Sequence, residues 1–227
     1  RLEGKQYVEK YVQNLAHEMK SPLTAIVSAA ELLEGGLPEA ERTRFATLIQ
    51  EQSGRMQLII ERMLQLARVE QLQRLEDDQP LDLAEIVRQT VASRASALAR
   101  RDLKTNIHAQ GAYPCHGDAF LLQQAIANLL DNAIDFSPAS GEIDIALQGM
   151  PGKLRLAVRD RGEGAPDYAL PRIFERFYSL PRPATGHKST GLGLPFVLEV
   201  AQLHGGDAHF TNHPQGGAEV TLEIAAG

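Results

Sequence analysis

Apolar residues in the first third of the chain recur at the spacing of a helical seam. Val8, Val12, Leu15, Met19, Pro22, Ile26, Ala29 and Leu33 step by 4, 3, 4, 3, 4, 3 and 4, the heptad pattern by which helices pack into bundles. Gly35-Gly36 supplies a stop, and Pro38 suits the first turn of a following helix. From there Phe45, Ile49, Gln52, Met56, Ile59, Met63 and Leu66 repeat the seam with one polar interruption. The segment reads as a helical hairpin. Two helices alone bury too little surface, so pairing with a second copy into a four-helix bundle is the expected solution.

The pattern changes after Glu76-Asp77-Asp78-Gln79-Pro80, an acidic run before proline that does not continue a helix. This predicts two domains, residues 1–75 and residues 80–227. The first holds only 4 of the 19 glycines and 2 of the 12 prolines, so the second carries most of the turns. Residues 83–98 read as an amphipathic helix and 103–107 as a strand. Helical spacing returns over 120–136 at Leu122, Ala125, Ile126, Leu129, Ala133 and Phe136. Residues 142–147 and 153–160 alternate like neighbouring strands joined at Met150-Pro151-Gly152-Lys153, 192–203 are helical again, and 218–224 alternate as a last strand. The expected class is α+β: a helical hairpin followed by a two-layer α/β sandwich.

Composition narrows the function. With 43% hydrophobic and 23% charged residues the chain folds. Its net charge of -6 leaves no basic excess for coating nucleic acid. One cysteine, Cys115, allows neither an internal disulfide nor a thiolate metal site, which points to a reducing compartment. No run of about 18 apolar residues is present to span a bilayer. The sequence starts at Arg1 rather than Met, so a piece of a longer protein is expected.

Four stretches carry candidate chemistry. His17 falls at the heptad position farthest from the seam, so its imidazole is expected in solvent. An exposed helical histidine alone is commonplace, but Glu18 beside it can orient the ring and raise its nucleophilicity. Pro22 also sits inside the helix, where it deletes its own bond to the Glu18 carbonyl. In the second stretch Asn128 and Asn132 are four apart and share a helical face; amide oxygens there suit a Mg²⁺ ion that keeps most of its waters and bridges phosphates. In the third, Asp160-Arg161-Gly162-Glu163-Gly164 follows directly on a predicted strand, so a buried carboxylate can accept from an amino group while the glycines admit close backbone approach. The fourth comprises Ile173-Phe174-Glu175-Arg176-Phe177-Tyr178, expected mainly as packing, and Ser189-Thr190-Gly191-Leu192-Gly193-Leu194, a hinge before a helix whose first amides can face phosphate.

Taken in order, these stretches resemble the characteristic boxes of two-component sensor histidine kinases. The run Asn14-Leu15-Ala16-His17-Glu18-Met19-Lys20-Ser21-Pro22-Leu23-Thr24 is similar to their phosphoacceptor box, the segment around Asn128 and Asn132 to their N box, and the remaining two to their first glycine box, F box and second glycine box. Gly216-Gly217 is similar to the third glycine element, or else an ordinary turn. Residues 166–200 look closest to the CreC-type members. The resemblance implies that His17 takes the γ-phosphoryl group of ATP and that Ser21, where the family has Thr or Asn, assists phosphate removal from the partner. It also implies that Asp160 reads adenine, that Gly162, Gly164, Gly191, Leu192 and Gly193 shape the ATP site, and that Asn132 ligates Mg²⁺. Related ATP hydrolases carry a glutamate at Asn128 to activate water; an amide cannot act as that base, which favours phosphoryl transfer to an acceptor. Asp135 departs from the family's phosphate-binding lysine, and Arg176 and Lys188 are the cations expected to compensate.

The resemblance further implies a homodimer through residues 1–75, an aspartate on a response-regulator receiver domain as the phosphoryl partner, and a membrane-anchored sensor upstream of Arg1. The chain would then be a cytoplasmic piece of a bacterial inner-membrane protein, without a nucleic-acid partner. The rival readings are a degenerate kinase acting as a dimeric scaffold and an ATP hydrolase of the wider superfamily. Cys115-His116-Gly117-Asp118 lacks the ligand count of a metal site. His204 and His209 are expected at the surface or as caps, and Arg100-Arg101 as a solvated helix end.

Overall fold

The computed structural model describes residues 2–184, 186 and 189–227, with side chains described for residue 13 and from residue 15 onward. The nominated Lys188 and the side chains of Val8 and Val12 lie outside the described residues. The chain divides into two compact units, residues 1–65 and residues 66–227.

The first unit is the hairpin. Helix α1 spans Leu2–Leu33 and α2 spans Glu39–Gln71, so the last turn of α2 belongs to the second unit. Along the predicted seam Pro22, Ala29 and Ile59 are buried, and Leu15, Met19, Ile26, Phe45 and Met56 are half-buried. Pro22 lies within α1 without breaking it, and the Thr24 hydroxyl donates to the Lys20 carbonyl at 2.8 Å in the same turn. Leu23, Val27 and Leu32 of α1 and Leu58, Ile60 and Leu64 of α2 are 40% to 51% exposed.

The second unit is a sheet covered by helices on one face. Its elements are β1 (Gln79–Asp82), α3 (Leu83–Ser93), α4 (Ala95–Arg100), β2 (Lys104–His108), β3 (Pro114–Gly117), α5 (Ala119–Phe136), β4 (Glu142–Met150), β5 (Lys153–Arg159), α6 (Gly193–Leu203), β6 (Ala208–Asn212) and β7 (Ala218–Ala225). Among the described residues, five strands form one sheet in the order β2-β4-β5-β7-β6. Within it β2 and β4 run parallel; β4 and β5 are a hairpin closing at Met150 and Lys153 around Gly152 at φ +72°. The inward positions Ile143, Ile145, Leu154, Leu156, Val158, Leu222 and Ile224 are buried against Leu122, Ile126, Leu129 and Val197. A period of two in the strands and a wide apolar stripe on α5 make this two-layer sandwich the natural solution.

Four departures from the sequence reading have local causes. The helix expected over 83–98 stops at Ser93, because Arg94 leaves helical geometry (φ -98°, ψ 4°) and its guanidinium turns to Asp131, with Nε 3.1 Å from Oδ1. Short β1 pairs with β3 despite Pro80, since proline is tolerated on a two-stranded edge; β6 was likewise unpredicted. Arg101 is no solvated helix end. Its Nη1 donates to the carbonyls of Ile134 at 2.6 Å and Asp135 at 3.0 Å, and Nη2 to Ser137 at 2.7 Å, satisfying acceptors that the end of α5 leaves open. His204 is 5% exposed. Its Nδ1 lies 2.7 Å from the Val200 carbonyl and its Nε2 accepts from the Asp118 amide at 3.1 Å, which fixes a neutral ring, and burial lowers its pKa.

Replacing Arg101 with Ala strips those carbonyls of their partners and should destabilise the second unit by about 2–3 kcal/mol. Urea denaturation checks this. Arg101→Lys should recover less than half of the loss, because an ammonium cannot fork across several carbonyls.

Candidate functional site

One cleft in the second unit gathers five of the ten residues nominated for nucleotide binding: Asn132, Asp160, Gly164, Gly191 and Gly193. Asn132, Ala133 and Phe136 from α5, Val158 and Asp160 from the end of β5, Gly164 and Ala165 from the loop after it, and Gly191, Gly193 and Pro195 at the start of α6 all line it. Its empty space, open mouth included, is about 800 Å³. The walls are mainly apolar, with polar groups at a few fixed places.

Asp160 is the most constrained of these. It is 6% exposed; its Oδ1 accepts from the amides of Gly162 at 2.8 Å and Ala218 at 3.2 Å. Burial raises its pKa, and those backbone donors pull the other way. Its Oδ2 has no partner from another residue among those described, which leaves an acceptor for a ligand's amino group. Glycines make the close packing possible. A Cβ on Gly162 would stand 2.4 Å from the Phe136 carbonyl oxygen, and one on Gly217 would stand 2.0 Å from the Asp160 carbonyl oxygen. Gly217 also has φ +89°, so Gly216-Gly217 is a packing element of the site rather than an ordinary turn.

Asn212 was missed by the sequence reading. Its Oδ1 accepts from Ala165 N at 2.8 Å and its Nδ2 donates to Ala165 O at 2.7 Å, a two-pronged clamp on the loop carrying Gly164. No sequence signal marks it, because the partner is 47 residues away.

At the other side of the cleft, α6 starts at Gly193 with Leu192 as N-cap and no side-chain cap, so its first amides are open to an anion. Leu192 itself is 1% exposed, so its side chain is packed inward. Asn128 is half-buried, and a Cβ on Gly193 would lie 3.6 Å from its Oδ1. Neither the Asn128 nor the Asn132 side chain makes a hydrogen bond among the described residues. The F-box and second glycine segments are locked together through their backbones. Phe177 N donates to Gly191 O at 2.9 Å, Phe177 is held at φ +62° and Gly191 at φ +65°, and a Cβ on Gly191 would stand 2.5 Å from the Phe177 carbonyl carbon.

Two nominated residues are placed differently from expectation. Arg176 does not line the cleft; its Nη2 lies 2.6 Å from Glu70 Oε1 and 3.7 Å from Glu199 Oε1, so its charge is committed to carboxylates. Asp135 meets Arg182, a residue the sequence reading did not nominate, with Oδ2 and Nη2 2.6 Å apart.

In the first unit, His17 is exposed and Glu18 half-buried on α1, with no hydrogen bond between their side chains; Ser21 is exposed one turn on. The expected orienting role of Glu18 therefore has no support in this geometry.

A buried carboxylate, paired amides and an open helix start thus surround one cleft, in a chain whose first unit carries an exposed histidine. Comparison with known proteins gives the family. Residues 8–72 match the His Kinase A (phospho-acceptor) domain, and residues 117–227 match the histidine kinase-, DNA gyrase B- and HSP90-like ATPase domain. The chain is 45% identical to sensor protein CreC of Escherichia coli over 99% of its length and 47% of that relative. It is 34% identical to the sensor-like histidine kinase SenX3 of Mycolicibacterium smegmatis over 94% of the chain and 56% of the relative. The chain thus spans about half the length of the curated relatives it matches. In fold it is similar to the Acinetobacter baumannii histidine kinase AdeS, with a TM-score of 0.70 at 22% identity, over 92% of this chain and 98% of that one. The chain belongs to the sensor histidine kinase family. Among the described residues, no helix is long and apolar enough to cross a membrane.

Burial and the Glu199 carboxylate push Glu70 up to about 7, against the pull of the Arg176 guanidinium. An unfolded chain ionises this group near 4.5, so between those values the folded protein holds a proton that the unfolded one has lost. Stability therefore falls as pH rises through that window. Glu70→Gln should flatten this slope and be stabilising at pH 8 by about 1–3 kcal/mol. Thermal melts at pH 5 to 8 decide; parallel curves for both proteins would count against the assignment.

Proposed function

We propose that this chain is the phosphotransfer core of its kinase, with residues 1–75 as the dimerisation and phosphoacceptor domain and residues 80–227 as the ATP-binding domain. The observation that carries the reading is the cleft. Asp160 offers a buried acceptor to the adenine amino group, while Asn132 and the uncapped start of α6 stand where a polyphosphate chain leaves the base. The donor set fits Mg²⁺: two side-chain amides without other partners, with no metal-holding cluster of carboxylates among the described residues, suit an ion held mainly through phosphates and water. Asn132 is the residue that would hold it, with Asn128 beside it; the ion supplies neutralisation of phosphate charge.

His17 attacks the γ-phosphorus through a neutral ring nitrogen. A nitrogen–phosphorus bond forms, the bond to the β,γ-bridging oxygen breaks, and ADP leaves. The protein's contribution is positioning and electrostatic stabilisation. An amide at Asn128 cannot take a proton from water, which favours transfer to His17 over hydrolysis. The phosphoryl group then passes to an aspartate on a response-regulator receiver domain. Ser21, one turn beyond His17, keeps a hydroxyl for the reverse, phosphate-removing step. The exposed apolar residues of α1 and α2, from Leu23 to Leu64, support a second copy packing on the hairpin to complete a four-helix bundle. In the whole protein this core answers to a membrane-anchored sensor.

Incubation with γ-³²P-labelled ATP and Mg²⁺ tests the reading. An acid-labile, alkali-stable label is expected on the wild-type chain. His17→Gln should abolish it while retaining nucleotide affinity, and Asn132→Ala should abolish it together with Mg²⁺-dependent binding. A label that survives His17→Gln, or free phosphate released without one, overturns the assignment.

A further inference from the structure

Asp135 and Arg182 face each other beside the cleft. Asp135 lies three residues beyond Asn132 on α5, hence on the same side of the helix, and its neighbour Phe136 is part of the cleft lining. Arg182 follows the cleft-lining residues Ser179 and Leu180. Their ion pair is two-thirds or more shielded from solvent, with side-chain exposures of 32% for Arg182 and 27% for Asp135. Arg182 Nε is buried and has no hydrogen-bond partner among the described residues. Its backbone is anchored by a turn, with Gly186 N donating to Arg182 O at 2.8 Å.

These facts fit poorly with a simple surface salt bridge. Guanidinium recognises anions along two-donor edges, and Nε and Nη2 form one such edge. Here Nη2 is used by the carboxylate and Nε is left buried and empty. The edge has capacity for an anion that a single carboxylate oxygen does not fill. Asp135 is also a poor neighbour for a polyphosphate, because an anion next to the phosphate path repels it unless a cation stands between.

We propose that Arg182 is the residue by which this chain reads the polyphosphate of its nucleotide, and that Asp135 is its latch. Without nucleotide the pair holds the stretch 178–184 to the end of α5. A polyphosphate competes for the same guanidinium edge and draws it from Asp135. Arg182 thereby supplies a cation beside the site, and the anomalous Asp135 has a function: it stores that cation and makes its release depend on phosphate. This inference rests on the cleft being an ATP site.

The test uses the full chain and displacement of a fluorescent ATP analogue by ATP and by AMP, with Mg²⁺ present. Arg182→Ala should weaken ATP about tenfold or more and AMP less than about twofold, AMP serving as the check that the cleft still folds. Asp135→Asn should tighten ATP by about threefold or more when Arg182 is present and not in the Arg182→Ala background. In the nucleotide-free protein the same Asp135→Asn change should speed hydrogen exchange at the backbone amides of residues 178–184. An unchanged ATP-to-AMP ratio in Arg182→Ala removes Arg182 from phosphate recognition. Equal tightening in both backgrounds makes Asp135 a bare repelling charge, and unchanged exchange or weaker ATP binding in Asp135→Asn removes the latch. A wild-type chain that binds neither nucleotide defeats the ATP reading itself, whereas normal wild-type binding with indifferent variants defeats only this inference.

Discussion

The clamp that Arg101 places on the end of α5 is the interaction on which the cleft depends. Carbonyls at the C-terminal end of that helix lack intrahelical partners by construction of the α-helix, and the guanidinium engages those of Ile134, Asp135 and Ser137. The same last turns carry Asn132 and Phe136 into the cleft lining. The Phe136 carbonyl, between two clamped neighbours, is the surface against which Gly162 must fit without a Cβ. A frayed helix end would therefore misplace the Asn132 amide and the loop after Asp160 together.

From this fixed end the rest of the site is built on short contacts to backbone amides and carbonyls. Asp160 is held by amides of Gly162 and Ala218, the Gly164 loop by the side-chain amide of Asn212, and Phe177 by the carbonyl of Gly191. Glycine is required at the closest of these approaches, because a Cβ added at Gly162, Gly191 or Gly217 would fall 2.5 Å or less from neighbouring backbone. Backbone-to-backbone positioning loses no side-chain rotamer entropy and gives a rigid frame for electrostatic work on a ligand.

The sequence made the fold class and the cleft-lining motifs legible, since both rest on local patterns: a seam of period 3.5, strands of period two, and glycine boxes beside one carboxylate. It left illegible what depends on pairing between distant segments. Asn212, Arg101 and Arg182 each act on a residue more than 30 positions away, and nothing in their own neighbourhoods announces it. His204 illustrates the same limit from the other direction. Next to two glycines it reads as a surface residue, but its ring is buried because the Asp118 amide, 86 residues earlier, supplies a donor to it. The pairing of Arg176 was hidden for a related reason: its carboxylate partners, Glu70 and Glu199, come from α2 and α6.

Several arginines of the second unit are matched to carboxylates: Arg94 to Asp131, Arg176 to Glu70 and Glu199, and Arg182 to Asp135. A pair that can be opened by the ligand itself differs from one that cannot, and Arg182 combines a position beside the cleft with one carboxylate partner among the described residues. Arg176, flanked by two carboxylates, has no comparable incentive to leave, and its pairing to the last turn of α2 ties the F-box segment to the helix that leads in from the phosphoacceptor hairpin.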